Sequence, residues 1–154
     1  MIPLDLPDEA ATASLAAALA EGSVAGDVIA LAGELGTGKT SFARAFIRAR
    51  GFAGEEVPSP TFTLVQVYGE SAPMIWHFDL YRLEKPEEAI ELGIEEAFLD
   101  GISLIEWPER LGLLLPRRRL LLRLLFGARP GSRRAEIDAG RRWKERLGRV
   151  AASL

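Results

Sequence analysis

The 154-residue sequence predicts a three-layer α/β fold around a mixed central sheet, parallel near a glycine-rich loop with antiparallel additions. Three observations carry the prediction. The apolar run Val28-Ile29-Ala30-Leu31-Ala32 leads directly into Gly33-Glu34-Leu35-Gly36-Thr37-Gly38-Lys39-Thr40, and a helically spaced segment from Ser41 to Arg50 follows. Strand and helix signals alternate through the first half, which favours a parallel core. Turn residues around 69–73 and 127–132 separate paired β-like segments, so two hairpins make the sheet mixed.

The elements follow in order. Residues 2–6 suit a short edge strand, and Asp8 suits the N-cap of an alanine-rich helix from Glu9 to Glu21, stopped by Gly22. The helix after the glycine-rich loop is expected to end at Arg48, Arg50 and Gly51, cations in the last turn followed by a glycine. Pro58 and Pro60 hold Val57 and Ser59 extended, and Phe62 to Tyr68 alternates as a strand. Met74 to Asp79 reads as its hairpin partner. Pro86 is tolerated in the first turn of a helix over 86–91, and Gly93 interrupts it before Ile94–Leu99. Ile102-Ser103-Leu104-Ile105-Glu106 reads as a buried strand ending in a carboxylate, which Pro108 prevents from continuing. Arg119–Phe126 and Arg134–Ala139 are the last strands, and Arg141–Ala151 is a closing helix. Neither an internal repeat nor a linker appears, so one domain over residues 1–154 is expected.

The octet 33–40 is a complete GxxxxGK[ST] phosphate-binding loop in its required strand–turn–helix setting, which points to a P-loop NTPase fold. Glycines let successive backbone N–H groups converge on phosphate oxygens, and the N-terminus of the helix, which begins in the loop and runs on through Ser41, adds a favourable dipole. Lys39 supplies a point charge for the terminal phosphates, and the Thr40 hydroxyl suits magnesium. Binding of ATP or GTP is the expectation.

Phosphate chemistry also needs acids near the metal and the attacking oxygen. Glu106 closes an apolar strand in the manner of a Walker B acid. In a parallel sheet that end lies beside the phosphate loop, so a role in the metal shell is expected. Asp79 ends the other strand and is a candidate for catalysis or the metal shell. Which acid acts as base stays open. Ser59, Pro60, Thr61 and Thr63 form a proline-stiffened, hydroxyl-bearing segment, readable either as a γ-phosphate-responsive switch or as a plain turn entering a strand. His77, the sole histidine, reads as a packing or hydrogen-bonding residue rather than a ligand.

With 48% apolar and 27% charged residues the chain is an ordinary globular one, and without cysteine it has neither disulfides nor thiolate metal sites. No apolar run reaches the roughly 18 residues of a membrane span. Met1 to Glu9 lacks the basic start of a secretory signal, so a cytoplasmic location is expected. The net charge of −3 hides an asymmetry: 13 basic and 3 acidic residues from Arg110 onward, 6 basic and 19 acidic before it. Such a tail is either a surface for nucleic acid, testable at Arg117, Arg118 and Arg119, or one half of charges that interleave on folding; the second reading is favoured.

Together, the octet, Ser59-Pro60-Thr61-Phe62-Thr63-Leu64-Val65, His77-Phe78-Asp79-Leu80-Tyr81-Arg82-Leu83 and Ile105-Glu106-Trp107-Pro108 resemble the TsaE (formerly YjeE) family in order and spacing, from about Ile2 to Pro116. The second and third segments are far more specific than the phosphate loop. The resemblance implies a small bacterial ATPase, dependent on Mg2+, that assists synthesis of threonylcarbamoyladenosine in tRNA beside the transferase TsaD and its partner TsaB. Carried over by position, Lys39 and the loop amides bind phosphate, Thr40 and Glu106 hold magnesium, Asp79 serves hydrolysis, Ser59 to Thr63 form the switch-like segment, and Thr12 approaches the base. Trp107, read as exposed, and the Tyr81–Arg82 pair are candidates for a partner interface. The competing readings are a small-molecule kinase, whose lid would draw on Arg117–Arg119, and a nucleotide-gated binding module.

Overall fold

The computed structural model describes residues 1–52 and 56–153. Seven strands, β1 (Ile2–Leu6), β2 (Val28–Ala32), β3 (Val65–Tyr68), β4 (Ile75–Asp79), β5 (Ile102–Glu106), β6 (Leu120–Phe126) and β7 (Arg133–Ala139), form one sheet in the order β1-β7-β6-β2-β5-β4-β3. β2 lies between β5 and β6, parallel to both, and β4 is parallel to β5. The antiparallel pairs sit toward both edges: β3 with β4 at one, and β7 with both β6 and β1 at the other. The three-layer α/β prediction matches this sheet.

The pleat assigns side chains to layers, because residues two apart share a face. On β2 and β5, Ile29, Leu31, Ile102 and Leu104 join one core with α1 (Glu9–Gly22), α2 (Lys39–Ile47) and α5 (Arg141–Ser153), while Val28 and Ile105 join the other core with α3 (Glu88–Glu91) and α4 (Ile94–Asp100). Both central strands are buried on both faces, as a parallel strand flanked by helices must be. Asp8 caps α1 as its sequence suggests, accepting from the Ala11 amide at 2.8 Å.

Four local expectations are revised. The strand expected from Phe62 begins only at Val65, because Leu64 takes φ 67° and its amide closes a turn onto Pro60 O. Phe62 is left 80% exposed. α2 stops at Ile47 and passes into a wide helical turn over Arg48–Phe52, with Gly51 at φ 109°. Arg50 serves a different helix: its guanidinium donates to Ala20 O and Ser23 O at the C-terminus of α1, where cations meet unpaired carbonyls. After β5 the chain forms a 3₁₀ segment over Pro108–Leu114 that the sequence reading left unassigned.

The basic C-terminal third folds back on the acidic part. Arg118 donates to Gly26 O and Phe98 O, Arg133 to Gly36 O and Thr37 O, and Arg146 grips both oxygens of Asp27. For these arginines the charge asymmetry is interleaving rather than a free basic face. Among the described residues no helix is long and apolar enough to cross a membrane.

Candidate functional site

β2 delivers the loop at the C-terminal end of the parallel strands, and α2 leaves from it. Gly33, Gly36 and Gly38 all have positive φ, at 143°, 83° and 104°. Gly33 is the least replaceable: a Cβ there would lie 2.5 Å from Leu124 O and 2.7 Å from Thr37 Oγ1. The carbonyls of Gly33, Glu34, Gly36 and Thr37 are occupied by protein donors. Lys39 Nζ donates to Gly33 O at 2.6 Å and Glu34 O at 2.9 Å, Thr37 Oγ1 to Glu34 O, and Arg133 to Gly36 O and Thr37 O. An anion entering the loop therefore meets its amide side at the N-terminus of α2, which suits phosphate.

Lys39 is buried, and its ammonium lies 4.2 Å from the ring centroid of Trp107. Burial holds its pKa below the usual lysine value, an effect opposed by the charges of Glu106, Glu109 and Asp79. Trp107, at φ 59°, is half-buried between Lys39 and Tyr81, whose ring centroid is 4.9 Å away. That corrects its reading as exposed; Tyr81 and Arg82 are exposed.

Strand register brings the two acids together, for Asp79 and Glu106 are direct partners across β4 and β5. Thr40 Oγ1 lies 2.8 and 3.0 Å from the two oxygens of Glu106, and His77 Nε2 lies 2.7 Å from Oε2. Asp79 accepts from the Tyr81 amide at 3.1 Å and from Thr61 Oγ1 at 3.2 Å, and Thr61 is 2.7 Å from Ser59 Oγ. Ser59 and Thr61 are thus joined to Asp79 through their hydroxyls, with Pro60 buried between them. Arg44 on α2 fixes the start of this segment by donating to Val57 O at 2.7 Å.

Two cavities flank the loop. One, of about 510 Å³, is lined by Glu9 and Thr12 from α1, Gly36 from the loop, Ser41 and Arg44 from α2, and Arg133. Thr12 therefore shares a cavity with the loop although far from it in sequence. The other, of about 540 Å³, is lined by Gly33, Leu35, Tyr81, Trp107, Glu109 and Phe126. Leu35 is 65% exposed, so only its backbone belongs to the loop's cradle.

Sequence reasoning gave His77 a hydrogen-bonding role without its partner, placed Trp107 at an interface rather than on Lys39, and left Arg133 unassigned. His77 lies two residues before Asp79 on one strand, and the period of two already put both on one face. Arg133 and the stacking of Trp107 on Lys39 depend on which strands are neighbours, for which the sequence holds no local signal. Arg117–Arg119 precede β6, at the opposite end of the parallel strands from the loop, with Arg118 anchored to Gly26 just before β2. They cannot form a lid over a phosphate there.

The donor set fits a magnesium ion. One hydroxyl and one or two carboxylates at a phosphate loop leave positions for phosphate oxygens and water, which a small cation reluctant to dehydrate retains.

An apolar parallel strand, a phosphate loop, a helix and an acid on the neighbouring strand define a P-loop NTPase fold. A family model described as "Threonylcarbamoyl adenosine biosynthesis protein TsaE" matches residues 6–134. The chain belongs to the TsaE family. It is 46% identical over 114 residues to the tRNA threonylcarbamoyladenosine biosynthesis protein TsaE of Rickettsia felis, a match covering 73% of this chain and 66% of that protein. The Bacillus subtilis protein of the same name is 40% identical over 116 residues, covering 74% of this chain and 70% of its own. The crystal structure of Bacillus subtilis YdiB superposes with a TM-score of 0.79 at 25% identity, covering 99% of this chain and 95% of that one.

Proposed function

We propose that this chain is a magnesium-dependent ATPase that serves threonylcarbamoyladenosine modification of tRNA as an accessory to TsaD and TsaB. The observation that carries the reading is the convergence of Thr40 on Glu106, with Asp79 in register beside it and Lys39 on the loop. Family membership supplies the pathway.

In this reading the loop amides and Lys39 hold the triphosphate, while Thr12 and the α1–α2 cavity take the nucleoside. To meet a terminal phosphate, Lys39 exchanges the carbonyls of Gly33 and Glu34 for phosphate oxygens. Thr40 and Glu106 would hold magnesium, which would offset the charge of the phosphates. Asp79, steadied by Thr61 and the Tyr81 amide, orients a water whose oxygen attacks the γ-phosphorus. The bond to the β–γ bridging oxygen breaks, ADP carries away that electron pair, and the water's proton passes to Asp79 or a phosphate oxygen. Thr61 links this acid to the segment beginning at Val57, so the segment responds to the γ-phosphate. Turnover is slow in the free chain and rises when partners complete the geometry. Threonylcarbamoyl transfer belongs to TsaD, and hydrolysis resets the complex. Contact with tRNA is made through the partners, a reading supported by the arginines committed to internal carbonyls and to Asp27.

The test is magnesium-dependent ATP hydrolysis by the chain alone and with purified TsaD–TsaB and tRNA, using Lys39→Ala and Asp79→Ala as controls. Weak turnover that rises with the partners and vanishes in both variants is expected. Rapid turnover indifferent to the partners would overturn the accessory role. Retained complex function in a non-hydrolysing Asp79→Ala variant would favour a nucleotide-gated binding module.

A further inference from the structure

We propose that His77 is the positioning residue for Glu106: its Nε2–H fixes the carboxylate so that Thr40 turns its proton inward and a lone pair outward toward a divalent cation. The inference rests on the reading of Thr40 and Glu106 given above.

His77 is fully buried and Glu106 nearly so, with side-chain exposures of 0% and 3%. Their 2.7 Å contact ties β4 to β5 beneath the mouth of the loop. An ionised carboxylate only accepts hydrogen bonds, so the nitrogen facing it carries the proton. The other nitrogen, Nδ1, is then a lone pair, and it is a buried atom without a hydrogen-bond partner. A side chain selected for packing alone would avoid that cost, since phenylalanine or leucine fills similar space without a polar atom. What the imidazole adds is one donor, aimed at Oε2.

That donor matters because of how a threonine hydroxyl meets a metal. The oxygen can present a lone pair outward only if its single proton is accepted elsewhere. Glu106 is the acceptor, at 2.8 and 3.0 Å. A glutamate held at one end only can rotate about its side-chain torsions and leave the hydroxyl unoriented. Held at Oε2 by His77, it gives Thr40 one preferred direction. Groups that orient a metal-binding side chain commonly change metal affinity about 10- to 100-fold when removed.

The experiment uses the full chain and three variants. His77→Phe fills the space without a donor, His77→Gln keeps an N–H near the position of Nε2, and His77→Asn places one near Nδ1. Two quantities are read: ATP affinity in chelator, by calorimetry, and Mn2+ affinity of the ATP complex, by electron paramagnetic resonance of free Mn2+. His77→Phe and His77→Asn are expected to weaken Mn2+ binding about 10- to 100-fold with metal-free ATP affinity unchanged, and His77→Gln to recover most of the loss. Thermal melts identify any variant that fails to fold; should His77→Phe do so, the contrast between Gln and Asn decides. Equal Mn2+ affinity in parent and variants, or equal losses in Gln and Asn, would overturn the role of His77 alone. A parent that binds no ATP would overturn the phosphate-loop reading, and this inference with it.

Discussion

Asp79 and Glu106 sit side by side at the ends of adjacent parallel strands, yet they hold different partners. Glu106 faces the phosphate loop through Thr40 and the interior through His77. Asp79 faces the 57–64 segment through Thr61 and the start of the next loop through the Tyr81 amide. Two carboxylates in one register are thus separated by what they hydrogen-bond to, and the proposed mechanism gives them separate work.

Glu106→Gln and Thr40→Ala should both raise the magnesium concentration needed for tight ATP binding. Asp79→Asn should leave it near the parent value while lowering single-turnover hydrolysis roughly 100-fold or more, the usual range for a positioned acid or base. Binding isotherms run beside single-turnover assays distinguish the two patterns. Equal loss of magnesium affinity in Asp79→Asn and Glu106→Gln would mean that the acids act as one site.

At Gly33, an added methyl collides with Leu124 O and Thr37 Oγ1, and φ is 143°. Gly33→Ala should therefore cost roughly 1–3 kcal/mol from the backbone conformation alone, with further loss from the clash with β6. Gly38 has no neighbour within 4 Å of such a methyl, so Gly38→Ala should cost less. Denaturant melts of the two variants give the comparison.

Lys39 supplies a pH signature. Its folded-state pKa lies below the ordinary 10.5 because of burial. Between the two values the unfolded chain binds the extra proton, so this residue adds stability as pH rises toward 10.5. Below the folded value both states are protonated, and the desolvation cost is felt in full. The stability of the parent relative to Lys39→Met should accordingly increase with pH across that window. Melting both proteins over a pH series checks it, and a flat or falling difference would contradict the assignment.

The pair of Asp27 and Arg146 should prove costly to break from one side. Asp27 is 2% exposed and accepts from both guanidinium amines, while the Arg146 side chain is 14% exposed. Arg146→Ala leaves a buried carboxylate without its cation, a loss of about 3 kcal/mol. The Arg146→Met, Asp27→Leu double variant should recover part of that loss, a result that urea titration can read.

The strand–loop–helix unit and the two acids were legible because each is local: eight residues for the loop, and five for a strand that ends in its acid. The mixed sheet was legible from turn residues. Phe62 was misread because alternation continued through Leu64, where a single positive φ turns the backbone. Arg50 looked like the cap of its own helix, but a long side chain serves whichever carbonyls tertiary packing brings near. Trp107 was taken for surface since nothing nearby in sequence shows that a lysine from another element will lie against its face. The order of strands was not readable at all: β1 pairs with β7, from opposite ends of the chain.

That sheet order has a consequence during synthesis. The Gly33–Thr40 octet leaves the ribosome early, yet Glu106 follows Thr40 by 66 residues, and Arg133, which holds the outer side of the loop, follows Thr37 by 96. Contacts this far apart form late, since closing long loops precedes their reward. A nascent or truncated chain ending before β6 carries the whole octet but lacks both the Arg133 guanidinium that holds Gly36 and Thr37 and the strand against which Gly33 packs.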